Sequence, residues 1–217
     1  ISRIAKEPEM PDFEIEDSLN CMVAGVDEAG RGPWAGPVVA GAVIIRDRNL
    51  GDELLKGLDD SKKISAKKRE LLYEKLREEE KNGRLFIGIG QASAEEIDRC
   101  NILQATFAAM KRAVEALKEK PEFAIIDGNQ TPKDFPCRTQ TVVKGDARCM
   151  SIAAASIAAK VYRDRLMREL AQKYPYYAFE KNAGYGTKAH IDGLKRHGVT
   201  PEHRKSYRPI QEFLRSA

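Results

Sequence analysis

The order of the apolar runs constrains the fold of this 217-residue chain more than any other feature of the sequence. Two short runs rich in β-branched residues, CMVAGVDE from Cys21 and PVVAGAVIIRD from Pro37, flank the Gly-rich stretch AGRGPWAG. This pattern predicts two strands joined by a turn. Three later apolar runs, RLFIGIGQA, EFAIID and TQTVVKGD, alternate with longer segments of helical periodicity. Adjacent strands followed by strand–helix alternation predict an α/β fold with a mixed five-stranded central sheet flanked by helices.

Three segments have the spacing of helices. A charged segment over residues 65–82 begins with Ser65, a residue that favours a helix start. Ser93 and Glu96 form a capping-box pattern, and the apolar residues after them recur at spacings of three and four up to Leu117. The Ala-rich segment from Ala147 to about Lys173 is apolar nearly all round at first, which predicts a buried helix.

Composition excludes several classes of protein. With 42% hydrophobic residues and a net charge of +4, the chain is too apolar and too weakly charged to be disordered. No apolar run approaches the about 20 residues of a membrane span, and the first residues lack the apolar region of a secretory signal. The four cysteines lack the spacing of zinc sites, so we expect reduced thiols without a function. A cytoplasmic monomer that makes no membrane contact is the expectation.

The charge is unevenly distributed along the chain. We divide the sequence into an acidic lead-in (residues 1–20), a main domain (residues 21–180) and a basic, helical C-terminal segment (residues 181–217) that packs on the same domain. The C-terminal segment carries eight Lys and Arg residues against three acidic ones, a net charge of +5, and all three histidines. It is therefore a candidate phosphate-facing surface, although the charge taken alone favours a solvated helical face.

Four acidic residues lie at or just after the ends of predicted buried strands: Asp27, Glu28, Asp127 and Asp146. Sites in open α/β sheets form beyond the carboxyl ends of strands, so these side chains could converge on one edge of the sheet. Carboxylates packed together repel one another, and a pair of Mg²⁺ or Mn²⁺ ions would remove the repulsion. Such a pair of ions is the arrangement used for in-line phosphoryl displacement.

Local structural roles compete with this interpretation. Asp146 is placed to cap the Ala-rich helix, and Asp127-Gly128 is a common turn pair. The turn Gly30-Arg31-Gly32 could bring backbone and a guanidinium close to phosphate, or could be an ordinary tight connection with an exposed arginine.

Seven ordered strings closely resemble the bacterial ribonuclease HII family. They run over nearly the whole chain and are VAGVDEAGRGPWAGPVVAGAVI, DDSKKIS, EEIDRCNILQATFAAM, IIDGN, VVKGDARCMSIAAASIAAKVYRD, GYGTKAH and PEHRKSY. The resemblance implies a ribonuclease H-like fold and endonucleolytic hydrolysis of the RNA strand of RNA–DNA hybrids. It also implies incision 5′ of single ribonucleotides embedded in duplex DNA, leaving a 3′-hydroxyl and a 5′-phosphate.

The resemblance also implies roles for individual residues. The four acids become catalytic metal ligands for two divalent ions, Mg²⁺ or Mn²⁺. The backbone of Gly30, Arg31 and Gly32 would contact the ribose 2′-hydroxyl, and Tyr185 would stack on the following deoxyribose. Further substrate-binding candidates match family motifs or supply positive charge: Ser61, Lys62, Lys144, Lys181, His203 and Arg204. Trp34 and Tyr207 stand where the family usually has leucine and phenylalanine.

Two other functions remain open from the sequence. A ribonuclease H-like nuclease that acts on DNA alone would share the acids but would not need a group that recognises the 2′-hydroxyl. A non-catalytic nucleic-acid-binding module would explain the basic C-terminal segment alone. Cleavage of an all-DNA duplex, or binding of a hybrid without metal-stimulated cleavage, would distinguish them.

Overall fold

A five-stranded mixed sheet forms the centre of the molecule. The computed structural model describes residues 10–58 and 64–215. The strands are β1 (Val23–Ala29), β2 (Val38–Ile45), β3 (Leu85–Ala92), β4 (Phe123–Asp127) and β5 (Arg138–Val142). Their order across the sheet is β3-β2-β1-β4-β5, with β2 antiparallel to β1 and β3, and β4 parallel to β1 and β5. The predicted mixed five-stranded sheet is confirmed.

Helices cover both faces of this sheet. The helices are α1 (Glu14–Ser18), α2 (Asp52–Gly57), α3 (Ala66–Lys81), α4 (Ala94–Glu115), α5 (Met150–Lys173), α6 (Phe179–Asn182), α7 (Lys188–His197) and α8 (Arg208–Arg215). Apolar residues of α4 pack on one face, and those of α3 and α5 pack on the other. At Gly41 the backbone of α5 comes so close that a Cβ would lie 2.5 Å from the Ala155 carbonyl oxygen. The glycine therefore sets how closely α5 approaches the sheet.

The helix starts agree with the sequence at two positions and differ at a third. Ser65 accepts a hydrogen bond from the Lys68 amide, and Ser93 and Glu96 form a complete capping box. The Ala-rich helix begins at Met150 rather than at Ala147, because residues 145–147 form a separate 3₁₀ turn.

Helix α4 contains a break that periodicity does not reveal. Asn101 has φ 68° and ψ 163°, and its side-chain oxygen accepts hydrogen bonds from the Leu103 and Gln104 amides. The asparagine thus caps the second half of the helix, which carries the apolar stripe.

The C-terminal segment packs against the second half of α5. Met167, Ala171, Phe179, Leu194 and Ile210 form a buried apolar cluster that joins these elements. Gly193 lies inside α7, where a side chain would collide with the Tyr176 carbonyl oxygen.

Within the described residues, no helix combines the length and the hydrophobicity needed to cross a bilayer. The four cysteines are free thiols.

Candidate active site

The parallel pairing of β1 with β4 brings two of the predicted acids side by side. Val26 is paired with Ile126, so Asp27 and Asp127 are the next residues on neighbouring strands that run in the same direction. Both side chains therefore leave the sheet on the same face. Asp27 is only 4% exposed, since β1 lies between β2 and β4 in the middle of the sheet.

Asp146 reaches the same place through a loop rather than through a strand end. Strand β5 ends at Val142, and Lys144 has a left-handed conformation (φ 55°) that turns the chain into the 3₁₀ turn Gly145–Ala147. The Gly145 amide donates a hydrogen bond of 2.7 Å to Asp127 Oδ1, which ties this loop to β4. Asp146 does not cap α5, whose N-cap position is occupied by Cys149.

One carboxylate oxygen from each of Asp27, Asp127 and Asp146 lies within 4.8 Å of the other two. Burial raises the pKa of Asp27 well above its usual range, and the negative charges of Glu28 and Asp127 raise it further. Hydrogen bonds from the Ser156 side chain and from the Glu28 amide, the latter 2.7 Å long, oppose this rise in pKa. The cluster is therefore electrostatically strained without a cation, and its donors are the oxygen ligands that hard divalent cations prefer.

Glu28 lies beside this cluster but is not one of the three converging carboxylates. As the residue after Asp27 on β1, it points to the opposite side of the strand. Its Oε1 lies 3.3 Å from the Arg31 guanidinium. Glu28, Arg31 and Asp127 line one cavity together with the second half of α4.

Comparisons with known proteins agree with one another. The family model for ribonuclease HII matches residues 24–210. The ribonuclease HII of Paramagnetospirillum magneticum is 50% identical over 205 residues, which cover 94% of this chain and 99% of that protein. The chain belongs to the ribonuclease HII family.

Solved structures show the same fold. Ribonuclease H2 of Pyrococcus horikoshii superimposes with a TM-score of 0.72 at 28% identity, covering 89% of this chain and 97% of that one. Ribonuclease HII of Archaeoglobus fulgidus, solved in complex with PCNA, gives a TM-score of 0.68 at 28% identity, covering 86% and 95%. As a member of this family, the enzyme is a divalent-metal-dependent nuclease that hydrolyses the RNA strand of RNA–DNA hybrids.

The Gly30-Arg31-Gly32 turn and Tyr185 meet at the surface of the enzyme. The Tyr185 ring lies so close to Gly32 that a Cβ on the glycine would be 3.3 Å from Cε1 of the ring. Tyr185 is 51% exposed, so the rest of the ring is open to solvent. Gly30 has φ 95°, and a side chain there would collide with the Arg163 guanidinium. The glycines thus permit a close approach on both sides of Arg31.

Two of the predicted substrate-binding residues are buried. His203 and Arg204 are both 0% exposed, so neither side chain can reach a phosphate on the surface. Arg204 donates instead to the backbone carbonyls of Gly30, Arg31 and Gly36. His203 forms a 2.9 Å hydrogen bond between its Nε2 and that of His190, which is also fully buried. Burial lowers the pKa of both rings, that of His203 to about 4, so the pair is neutral near pH 7.

Of the four remaining substrate-binding candidates, two lie within the described residues. Lys144 sits exposed in the loop before Asp146, and Lys181 is exposed in α6. Ser61 and Lys62 lie outside the described residues.

Two site residues carried no functional prediction. Ser156 lies on the buried face of α5 and forms a hydrogen bond with Asp27. Arg163, on the same helix, is 1% exposed and donates to the carbonyls of Ala35, Pro37 and Ala183. A signal for both was present in the sequence: a polar residue within an otherwise apolar helical face needs a partner inside the protein.

Proposed function

We propose that this enzyme incises duplex DNA on the 5′ side of a single embedded ribonucleotide, in addition to cutting hybrids. We further propose that Asp27, Glu28, Asp127 and Asp146 bind two divalent ions, Mg²⁺ or Mn²⁺, during the reaction. The observation that carries the proposal is the contact between Gly32 and Tyr185, which lies next to a cavity that Arg31 shares with Glu28 and Asp127.

The exposed groups at this contact suit the recognition of one ribose. The 2′-hydroxyl is what distinguishes RNA from DNA at a given nucleotide. A glycine turn can present backbone groups to that hydroxyl without steric obstruction by side chains. We expect the exposed face of Tyr185 to pack on the next sugar, where a second 2′-hydroxyl would crowd the ring. Such an arrangement favours a ribonucleotide followed by a deoxyribonucleotide.

The acid cluster fits divalent ions. Three carboxylates converge within 4.8 Å, and the pKa of Asp27 is raised, so a positive charge at this place would stabilise their ionised forms. The chemistry that a pair of divalent ions supplies when bound is activation of the attacking water and neutralisation of charge at the leaving 3′ oxygen.

The protein residues contribute orientation. The Gly145 amide holds Asp127, while Ser156 and the Glu28 amide hold Asp27, so both carboxylates are fixed before the substrate arrives. Water attack on phosphorus breaks the P–O3′ bond on the 5′ side of the ribonucleotide. The products carry a 3′-hydroxyl on the upstream strand and a 5′-phosphate on the ribonucleotide.

The test is cleavage mapping on three duplexes of the same sequence, with a single ribonucleotide, with four consecutive ribonucleotides and with DNA alone. We expect Mg²⁺- or Mn²⁺-dependent incision 5′ of the single ribonucleotide, none with EDTA, and none in the all-DNA duplex. Equal cleavage of the all-DNA duplex would contradict the proposal and favour a DNA nuclease. Binding of the hybrid without metal-stimulated cleavage would indicate a binding module.

A further inference from the structure

The buried dipeptide His203-Arg204 takes part in the hydrogen bonds that hold Gly30–Gly32 and Tyr185. Gly30, Arg31, Gly32 and Tyr185 together form the proposed ribose-recognition site. Both residues of the dipeptide are fully buried. Arg204 bonds directly to the glycine turn, more than 160 positions earlier in the sequence, whereas His203 bonds to His190, which contacts the Tyr185 carbonyl.

Arg204 fixes the glycine turn. Its Nη1 donates to the Arg31 carbonyl at 2.8 Å, and its Nη2 donates to the Gly30 carbonyl at 2.5 Å and to the Gly36 carbonyl at 2.9 Å. Its own amide donates to the Trp34 carbonyl at 2.8 Å. The planar guanidinium spreads its donors in a rigid fork, so one side chain sets the relative positions of three carbonyls.

His203 fixes Tyr185 through a second histidine, and the contacts determine the tautomers. His190 Nδ1 lies 3.0 Å from the Tyr185 carbonyl oxygen, which can only accept, so this nitrogen carries the hydrogen. In the neutral ring His190 Nε2 then accepts, and His203 Nε2 donates to it across 2.9 Å. His203 Nδ1 is left to accept from the Thr200 amide at 3.0 Å and hydroxyl at 2.9 Å. All four ring nitrogens are satisfied in one arrangement.

Arg163 connects the two halves from the opposite side. Its guanidinium donates to the Ala35 and Pro37 carbonyls after the glycine turn and to the Ala183 carbonyl before Tyr185. The distance between the turn and the tyrosine is therefore determined by buried hydrogen bonds rather than by the two exposed loops themselves.

We propose that His203, Arg204, His190 and Arg163 are positioning residues that set the gap between Gly32 and Tyr185 and thereby determine the preference for a ribonucleotide followed by DNA. This inference rests on the proposed function, because it concerns the selectivity of that site. None of the four side chains needs to contact the substrate. Their effect is on which substrate is cut and not on the metal-dependent chemistry at the acids.

The experiment compares two substrates across a set of variants. The selectivity ratio is kcat/KM for the duplex with one ribonucleotide divided by kcat/KM for a continuous RNA–DNA hybrid. We expect Arg204→Met and His190→Ala to lower this ratio by about tenfold or more, since small misplacements of binding groups have effects of this size. His190→Asn keeps a donor for the Tyr185 carbonyl and is expected to restore much of the ratio. Arg204→Lys keeps the charge but not the fork and is expected to restore little.

Two controls separate positioning from folding. Arg46→Met removes an exposed arginine at the end of β2. This end of β2 lies near Val23 of β1 and not near Asp27, so we expect the selectivity ratio to stay unchanged. Trp34 is the only tryptophan in the chain, and its carbonyl accepts from the Arg204 amide, so its fluorescence emission reports on the same region. If Arg204→Met unfolds the enzyme, Trp34 emission and Tm reveal the loss of folding. The selectivity ratios of His190→Ala and His190→Asn then test the inference.

The outcomes are distinct. Absence of incision at a single ribonucleotide by the wild-type enzyme contradicts the proposed function, and this inference with it. Equal loss on both substrates in the variants, in proportion to the folded fraction, contradicts the inference alone.

Discussion

The acid cluster and the residues that hold the ribose-recognition site both consist of buried ionisable side chains, but the side chains in the two places have different partners. Burial raises the pKa of Asp27, and the neighbouring charges of Glu28 and Asp127 raise it further. Arg204 is equally buried, but its guanidinium is satisfied by backbone carbonyls, and the His190–His203 pair is satisfied as neutral rings. Buried charge with unfavourable neighbours is a candidate place for a cation. Buried polar groups with complete partners mark a framework that fixes geometry.

The largest expected effect that tests this contrast is on activity. Asp27→Asn should reduce metal-dependent cleavage by several orders of magnitude, because a metal ligand is lost. Without divalent metal the same variant should be more stable than the wild type, by about a few degrees in Tm, because the cost of burying the charge disappears together with its repulsion by Glu28 and Asp127. Cleavage kinetics and thermal unfolding in EDTA measure the two effects.

The matched control is Asp52→Asn, which neutralises an acid whose side chain is 87% exposed at the start of α2. It should change neither activity nor Tm appreciably. Lower stability of Asp27→Asn in EDTA would show that the Asp27 carboxylate is satisfied in the folded protein. The acid cluster would then not differ in this respect from buried Arg204 and the His190–His203 pair.

The next effect concerns the pH dependence of stability, where the two regions should act in opposite directions. The pKa of His203 is lowered from 6.5 to about 4, so between these values the unfolded chain binds a proton that the folded one does not. Stability from this histidine is complete above pH 6.5 and falls as the pH drops, by about 3 kcal/mol once pH 4 is reached. The pKa of Asp27 is raised above 3.8, so the folded chain binds the extra proton and acidification stabilises it.

Urea unfolding between pH 7 and pH 4 in EDTA separates these contributions. Asp27→Asn should lose stability more steeply on acidification than the wild type, because only the histidine effect remains. His203→Gln should lose it less steeply, even if it starts from a lower stability. Identical slopes for all three proteins would contradict the assignment of both pKa shifts.

The smallest expected effect is on binding. Among the basic residues of the C-terminal segment, Lys181 is exposed whereas Arg204 is buried, so only the former can contact a phosphate. Lys181→Gln should weaken hybrid binding and reduce the slope of log K against log salt concentration by about 1. Lys120→Gln, exposed just before the start of β4 and so away from Asp127, is the control. An unchanged slope for Lys181→Gln would show that this charge belongs to a solvated face.

Much of the fold and part of the site follow from local sequence. Alternating apolar runs and capping residues such as Ser93 predict the sheet and the main helices, because period and caps are local properties. Asp27 and Asp127 are candidates from the sequence because each lies at the end of an apolar run, whereas their convergence depends on the parallel pairing of β1 with β4. The break at Asn101 could not be predicted from periodicity, because the apolar stripe continues on both sides of it.

The apolar pattern within single segments predicts the architecture and identifies the acids of the central strands. The position of Asp146 depends instead on tertiary contacts, because a loop tied to Asp127 brings it to the cluster. The burial of His203 and Arg204 depends on tertiary contacts too. A basic side chain is exposed or buried according to whether distant segments offer it acceptors. For Arg204 those acceptors are carbonyls at the other end of the chain, at Gly30, Arg31 and Gly36.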